Sequence, residues 1–303
     1  MNSPLMRITI GAGLIAGAAA VLLADVAIAD QTGMAIAPGF WLLLATALLA
    51  GCWEFFHMLR GCGLPCRPVI GMVFVGLLLA AARLEIHRPS QVLPWLYGHG
   101  LELYLLLIVA LIFTTFLAEI FLVERAGRDV PEALASVGWT VLVVLTVGLL
   151  GIFLVKVRFL SEDPLEGLLY LGLTLGVVKC SDIGAYAVGS SLGRHLLVPK
   201  LSPKKTVEGL VGAIVAGTAV AVAIGVAWGR FTWVEMLVFG AAVSISGILG
   251  DLAESLMKRA CGVKDSGRIP GFGGALDILD SMLSAGPVAY VLLVVLTEPG
   301  PLG

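Results

Sequence analysis

The sequence has 303 residues, of which 59% are hydrophobic and 13% are charged, and its formal net charge at pH 7 is −2. Soluble domains are about 45–50% apolar and about 25% charged, so this composition excludes an ordinary soluble protein and predicts a polytopic membrane protein. The near-neutral charge gives no sign of a nucleic-acid partner, and we expect none.

Hydropathy predicts about nine membrane-spanning helices, because a helix needs about 20 apolar residues to cross a hydrocarbon core ~30 Å thick. The predicted spans are residues 7–27, 38–58, 68–84, 101–123, 134–156, 165–189, 207–228, 231–253 and 277–297. No soluble domain interrupts them, so we predict a single all-α membrane domain over residues 1–303. Its N-terminal helices lie in residues 1–160, and its more polar helices lie in residues 161–303.

The first span has some features of a signal peptide. Arg7 precedes an apolar run from Ile8 to Ala24, and the segment 27–29 resembles a signal-peptidase site. The run is long for a signal peptide and about the minimum for a span. We therefore expect a retained first helix, with a cleaved signal peptide as the alternative.

Spans two to five offer few candidates for chemistry. Glu54 and Glu119 lie within apolar stretches, either as buried polar partners or as lipid-facing side chains, and the sequence assigns them no role. Cys62 and Cys66 have no matching cysteine or histidine pair elsewhere, so neither a zinc site nor a disulfide is predicted there.

The sixth span contains ionisable residues, which are rare inside a membrane without a function. Asp182, Tyr186, Gly189 and Gly193 recur at helical spacing and form one stripe. Lys179 stands three residues before Asp182, so an ion pair within the helix is one alternative explanation. Close helix packing is the alternative explanation for the glycines. Asp182 is nevertheless predicted to belong to a functional site.

A phosphate-binding site is predicted at the start of the seventh span. After a break at Pro203, Lys204, Lys205 and Thr206 stand where the helix begins. Free N–H groups and the positive end of the helix dipole attract anions there. The alternative is a basic membrane anchor with Thr206 as the helix cap, in which case Glu208 is favoured by the same dipole.

The eighth span ends with, and the ninth begins with, the same spacing of polar residues. The first set is Asp251, Glu254, Ser255 and Lys258, and the second is Asp277, Asp280, Ser281 and Ser284. Each set lies on one face of its helix. A glycine-rich turn at 271–274, whose backbone can approach a ligand closely, separates the two sets.

These two faces predict a site for Mg²⁺ and phosphate. Mg²⁺ is usually held by one or two carboxylates plus substrate phosphates, and Lys258, Arg259, Lys264 and Arg268 supply positive charge nearby. The alternative is a loop whose basic residues touch anionic headgroups. That alternative explains the acids less well, because acids at the ends of apolar helices are rare without a function.

The basic residues predict the orientation of the chain. With the N-terminus inside, thirteen of the 19 lysines and arginines lie on the inner side, five on the outer side and Lys179 within a span. This asymmetry is typical of cytoplasmic loops. We therefore predict an inner-membrane protein whose N-terminus and polar loops, 190–206 and 254–276, are cytoplasmic.

Three motifs resemble the signature elements of the phosphatidate cytidylyltransferase (CDP-diacylglycerol synthase) family, over roughly residues 175–285. The first element, D-x-x-A-Y-x-x-G, is matched by Asp182, Ala185, Tyr186 and Gly189. The second, S-P-K-K-T-x-E-G, is matched by Ser202, Pro203, Lys204, Lys205, Thr206, Glu208 and Gly209. The C-terminal signature is matched by Ser255, Lys258, Arg259, Lys264, Asp265, Pro270, Gly271, Gly273, Gly274, Asp277 and Asp280.

The resemblance implies an enzyme of phospholipid synthesis that transfers CMP from CTP to phosphatidic acid, giving CDP-diacylglycerol and pyrophosphate. A divalent cation, Mg²⁺ or another, is expected on Asp251, Asp277 and Asp280. The expected catalytic residues are Asp182, Lys205, Asp251, Lys258, Arg259, Lys264, Asp265, Asp277 and Asp280. The expected substrate-binding residues are Ser202, Lys204, Lys205, Thr206, Glu208, Gly209, Ser255, Lys258, Arg259, Lys264, Gly273 and Gly274. A homodimer is expected from the family alone.

The sequence departs from the family signature at two positions. Phe272 stands where the family has histidine, and Ile278 stands where it has arginine. Two alternatives to this activity stay open, and the departures suggest the second of them. One is a related CTP-dependent enzyme with another acceptor, either a lipid-alcohol kinase or a prenyl-lipid cytidylyltransferase, and the other is a non-catalytic relative.

Overall fold

Helices make up most of the computed structural model, which describes residues 4–32, 37–86, 100–267 and 273–297. The helices within these ranges are α1 (Pro4–Thr32), α2 (Pro38–Gly61), α3 (Pro68–Ile86), α4 (Gly100–Ala126), α5 (Val130–Val143), α6 (Leu150–Arg158), α7 (Pro164–Leu192), α8 (Val207–Trp228), α9 (Trp233–Ala260) and α10 (Ala275–Thr297). A π-helical turn, Val144–Leu149, joins α5 to α6. The strands β1 (Leu196–Val198) and β2 (Ser202–Thr206) form an antiparallel hairpin.

The predicted membrane fold is confirmed. In the ranges that the structure describes, eight helical segments are long and apolar enough to cross a membrane: α2, α3, α4 from Glu102 onward, the continuous run Val130–Arg158, and α7 to α10. They coincide with the second to ninth predicted spans. Helix α1 covers the first predicted span but is not among the eight, so that span stays a prediction.

Proline and a neighbouring carboxylate mark the start of α2. Pro38 needs no N–H partner at the first helical position. The next two amides donate to Asp25 of α1, from Gly39 N to Oδ1 at 2.9 Å and from Phe40 N to Oδ2 at 2.7 Å. Asp25 is 3% exposed, and its charge faces the positive end of the α2 dipole. The amides at the helix start are therefore satisfied by another helix rather than by water.

The chain divides into two compact units. The first contains residues 1–152 and 261–278, and the second contains residues 153–260 and 279–303. The prediction of a single domain over residues 1–303 stays a prediction, and each unit is described by itself.

The first unit has an apolar core on α2 and α3, with a buried ion-pair network beside it. Leu48, Phe55 and Phe56 of α2 are fully buried. Glu119 of α4, which is 2% exposed, accepts from Arg67 Nε at 2.6 Å and from Arg128 Nη1 at 3.0 Å. A buried carboxylate requires such partners, because an unpaired charge is costly in an apolar interior. Glu119 is thus one of the buried polar partners that the sequence left without a role.

The second unit is built on close contact between α7, α8 and α9. A Cβ atom added to Gly184 of α7 would lie 2.5 Å from Gly212 O of α8, so only glycine permits this approach. Helices α9 and α10 are joined by two reciprocal bonds. Ser246 Oγ donates to Ser284 O at 2.7 Å, and Ser284 Oγ donates to Ser246 O at 2.8 Å.

Candidate functional site

Three carboxylates converge in the second unit. Asp251 and Glu254 lie on α9 and Asp280 lies on α10, and one oxygen of each is within 4.8 Å of the others. The spacing of three residues between Asp251 and Glu254 places both on one face of α9. Glu254 is 2% exposed, whereas Asp251 and Asp280 are partly accessible. We call Asp251, Glu254 and Asp280 the carboxylate cluster.

Two lysines neutralise part of this negative charge. Lys205 Nζ lies 2.6 Å from Asp251 Oδ2, and Lys258 Nζ lies 2.8 Å from Glu254 Oε2. Lys205 comes from β2, and Lys258 follows Glu254 by one turn of α9. Carboxylates so close together repel each other, and a nearby ammonium group reduces that repulsion. The arrangement therefore combines hard oxygen ligands with ammonium groups that can be redirected to an anionic ligand.

Asp182 lies on α7, within electrostatic range of Asp251 and Lys205. Lys179 Nζ donates to Asp182 Oδ2 at 3.3 Å, and both side chains are more than two-fifths exposed. The ion pair that the sequence offered as an alternative is therefore present. Asp182 can pair with Lys179 and still lie near the carboxylate cluster, because Asp251 is within its electrostatic range.

The hairpin β1–β2 holds Lys205 in place, and it lies in a segment that the sequence predicted as a loop. Leu196 pairs with Thr206 and Val198 pairs with Ser202. Arg259 Nε, at the end of α9, donates to Leu201 O in the turn at 3.1 Å. The guanidinium thus ties the hairpin to α9, the helix that carries Asp251 and Glu254.

The start of α8 is capped within the chain. Thr206 Oγ1 accepts from Gly209 N at 3.1 Å. Glu208 Oε2 accepts from Arg194 N at 3.1 Å and from His195 N at 3.2 Å. These contacts match the alternative in which Thr206 caps the helix. Binding of substrate by Thr206, Glu208 and Gly209 stays a prediction.

A second polar network lies in the first unit, around the start of α10. Glu54 of α2 accepts from Ala275 N at 3.0 Å, and from Leu276 N at 2.9 Å. Ser266 Oγ donates to Glu54 Oε2 at 3.1 Å or to Asp277 Oδ2 at 2.8 Å. Asp277 Oδ2 also accepts from Ser266 N at 2.9 Å and from Gly274 N at 2.7 Å. We call these contacts the Glu54 network.

Cys261 directly follows α9 and begins the segment that leads to Ser266 of this network. The Cys261 side chain is buried and lies beside Cys62. Burial is the main cause that raises the pKa of the Cys261 thiol to about 12, and the Cys62 side chain raises it further. The thiol is therefore neutral at physiological pH and behaves as a small apolar group.

The predicted site residues fall into both units. Lys204, Lys264 and Asp265 are exposed, and Ser202 and Ser255 are partly buried. Asp277, predicted as a metal ligand, accepts from Ser266 and Gly274 in the Glu54 network, and its role as a ligand stays a prediction. Of the quoted motif positions, Arg268, Pro270, Gly271 and Phe272 lie outside the described residues.

Sequence reasoning gave no ligand or binding role to two acids that the structure places in polar networks, one in each unit. Glu254 was placed on the correct face but was not included among the metal ligands, although its spacing of three residues from Asp251 was visible. Glu54 received no role, and the available signal was an acid inside an otherwise apolar helix. Its partners are more than 200 positions away in the sequence, so their identity was not predictable from local pattern.

The carboxylate cluster fits a divalent cation. It offers oxygen ligands from three side chains, and Mg²⁺ prefers oxygen ligands and completes its shell with water or phosphate. Ligand oxygens about 2.1 Å from one ion lie within ~4.2 Å of each other, so the observed spacing needs only a small contraction.

Comparison with known proteins identifies relatives along the chain. The sequence profile described as the cytidylyltransferase family matches residues 10–296. A protein named phosphatidate cytidylyltransferase from Bacillus subtilis (strain 168) is 40% identical over 160 residues, which are 52% of this chain and 58% of that relative. A protein of the same name from Staphylococcus saprophyticus is 43% identical over 139 residues, or 45% of this chain and 53% of the relative. One from Mycobacterium tuberculosis (strain ATCC 25618 / H37Rv) is 42% identical over 121 residues, which are 39% of this chain and 37% of that relative. The chain thus spans about half the length, or less, of these curated relatives.

Proposed function

The chain belongs to the cytidylyltransferase family, and on that premise we propose that it transfers CMP from CTP to phosphatidic acid. The products are CDP-diacylglycerol and pyrophosphate. The observation that carries the proposal is the carboxylate cluster with Lys205 and Lys258 beside it. Relatives that carry the name phosphatidate cytidylyltransferase support the choice of substrates.

The reaction exchanges one phosphate ester linkage for another. An oxygen of the phosphatidate phosphate bonds to the α-phosphorus of CTP, and the bond from that phosphorus to the β-phosphate oxygen breaks. Pyrophosphate leaves with the electron pair. The attacking phosphate is already ionised near neutral pH, so the step needs no side chain as general base. The protein must instead bring two polyanions together in line and neutralise their charge.

We assign the cation to Asp251 and Asp280, together with Glu254, and we keep Asp277 as a further ligand on the basis of the sequence motif. When bound, the cation neutralises phosphate oxygens and helps to orient the nucleotide. Lys205 and Lys258 would become available to phosphate oxygens if a cation neutralised the acids with which they pair.

Further roles follow from position. Lys204, Arg259 and Lys264 are exposed, and we propose that they contact the triphosphate or the lipid phosphate. Arg259 also holds the hairpin through Leu201 O. Catalytic roles for Asp182 and Asp265, and contacts of Ser202, Ser255, Gly273 and Gly274 with the substrate, are proposed from the sequence motifs.

The protein is a multi-pass membrane protein, and we propose that its N-terminus and its site face the cytoplasm. The excess of basic residues on that side supports this orientation. CTP is a cytoplasmic nucleotide, so the proposed chemistry requires the same side. Assembly as a homodimer stays a prediction.

The proposal is tested by identifying the product. Purified full-length protein in detergent is incubated with CTP labelled in the α-phosphate, Mg²⁺ and phosphatidic acid. We expect the label in the lipid fraction and unlabelled pyrophosphate in solution. Release of CDP with a diacylglycerol acceptor would instead identify a kinase, and absence of any product would support a non-catalytic relative.

A further inference from the structure

We propose that Glu54 is a positioning residue of the cytidylyltransferase reaction. It anchors the glycine turn at 273–274 and the first turn of α10, and through them it places Asp277. This inference rests on the proposed function. It adds a residue from α2, which lies outside all three sequence motifs.

The carboxylate of Glu54 is committed to the backbone of α10. Oε1 accepts from Ala275 N, and Oε2 accepts from Leu276 N. Both amides belong to the first helical turn, whose N–H groups have no partner within the helix. The negative charge also faces the positive end of the α10 dipole. Glu54 thus serves as a helix cap supplied by a different helix.

Glycines on both sides of the turn before α10 lie very close to this carboxylate. A Cβ atom on Gly274 would lie 2.2 Å from Glu54 Oε2, and one on Gly267 would lie 2.5 Å from Oε1. Gly273 has a positive φ of 84°, and a Cβ there would lie 2.3 Å from Asp277 Oδ2. The glycines of the turn therefore permit close approach to two carboxylates of this protein, and any side chain in their place would displace them.

Ser266 couples Glu54 to Asp277. Its hydroxyl lies 3.1 Å from Glu54 Oε2 and 2.8 Å from Asp277 Oδ2, and Ser266 is 9% exposed. Ser266 N and Gly274 N both donate to the same oxygen of Asp277. A shift of the Glu54 carboxylate would therefore be transmitted to the turn, to the start of α10 and to the Asp277 side chain.

Both oxygens of the Glu54 carboxylate are engaged by donors of the protein. Its two oxygens accept from two amides and one hydroxyl, so it acts through the backbone rather than by touching a phosphate. Glutamine at this position keeps the shape but turns one acceptor into a donor that faces N–H groups. Aspartate keeps both acceptors but is shorter by one methylene, so it restores the contacts only in part.

The experiment compares E54Q with E132Q in the full-length protein. Glu132 lies in the same unit, its side chain is 63% exposed, and E132Q makes the same change of charge. For E54Q we expect kcat to fall about 100-fold, as displacement by about 1 Å can cause, with KM for CTP changed less. We also expect a several-fold rise in the Mg²⁺ concentration at half-maximal rate, partial recovery of kcat in E54D, and no change in E132Q.

A second readout is independent of activity. Hydrogen exchange followed by mass spectrometry should show faster exchange in peptides that contain Ala275 and Leu276 in E54Q, with other helices unchanged. A drop in kcat without faster exchange, or faster exchange with a wild-type kcat, overturns the proposal. Wild-type protein without transferase activity refutes the proposed function instead, and exchange alone then decides whether Glu54 anchors the turn.

If E54Q does not fold, the S266A variant tests the proposal instead. It removes the hydroxyl that joins Glu54 to Asp277 but leaves the contacts of Glu54 with Ala275 N and Leu276 N. We expect kcat to fall about 3- to 10-fold, as for one lost hydrogen bond, together with faster exchange at the turn. Wild-type kcat and wild-type exchange in folded S266A overturn the proposal.

Discussion

Charge pairing determines how single residues in the carboxylate cluster respond to substitution. Asp251 has Lys205 as its partner, and Glu254 has Lys258. Each pair is partly or fully removed from water, so removal of one member leaves a charge that the protein must neutralise in another way. A cation held by the acids and a phosphate held by the lysines would satisfy both sets at once.

D251N is expected to abolish most of the activity. The substitution removes one cation ligand and the partner of Lys205, and loss of one electrostatic contact to a transition state typically costs about 100-fold or more in kcat. Turnover is measured with CTP and phosphatidic acid in detergent, and folding is followed by gel filtration. E162Q, at an exposed position of the same unit, is the control. A wild-type rate in D251N would remove Asp251 from the cation site.

K205A is expected to weaken substrate binding more than it slows the chemical step. A charge-assisted contact to phosphate is worth about 10-fold or more in affinity, so KM for CTP or for phosphatidic acid should rise by that factor. Lys200 is exposed in the turn of the same hairpin, which makes K200A a matched control. An unchanged KM for both substrates would count against the role of Lys205.

Close packing between α7 and α8 supports the end of α7 and the hairpin that follows. Gly184 approaches Gly212 O and Ala216 Cβ, so a Cβ atom at Gly184 would lie 2.5 Å from each. Asp182 lies two residues before Gly184 on α7, and Lys205 lies in β2 just before α8, so the contact joins the elements beside both residues. At the level of the element, small residues thus determine where charged residues lie.

G184A is expected to lower stability by about 1–3 kcal/mol, since the added methyl group overpacks the contact between α7 and α8. G172A on the same helix meets nothing within 4 Å, so we expect no loss of stability there. Thermal unfolding in detergent compares the two variants. Equal melting temperatures for G184A and the wild type would show that α7 and α8 accommodate the added methyl group without loss of stability.

At the scale of the whole molecule, the alternation of spans determines which loops share a compartment. Helix α7 is long and apolar enough to cross the membrane, so residues just before it and just after it face opposite sides. Glu162 precedes α7, and the hairpin with Lys200 follows it. The proposed orientation places the hairpin in the cytoplasm.

Cysteine labelling tests this orientation. We expect E162C to react with a membrane-impermeant maleimide in intact cells, and K200C to react only after the membrane is opened. The native cysteines are first replaced by serine or alanine, and activity confirms that the background protein is functional. The reverse pattern would place the carboxylate cluster on the outer side and contradict the use of CTP.

The place of the second to ninth spans came from the sequence, because apolar length is a local property of about 20 consecutive residues. The sequence also placed Asp251, Glu254 and Lys258 on one face of α9, since helical periodicity fixes that geometry. The chemistry of the site followed from residue types at that spacing and from resemblance to a family. These features do not depend on which distant segment packs against which.

Only the tertiary structure showed which polar groups of distant segments pair with each other. The pairing of Lys205 with Asp251 and the capping of α10 by Glu54 both join segments far apart in sequence. Burial makes each of these polar groups require a partner, but periodicity does not say which segment supplies it. Glu54 therefore looked like an isolated acid in an apolar helix, and packing of α2 against the turn made it the cap of the last span.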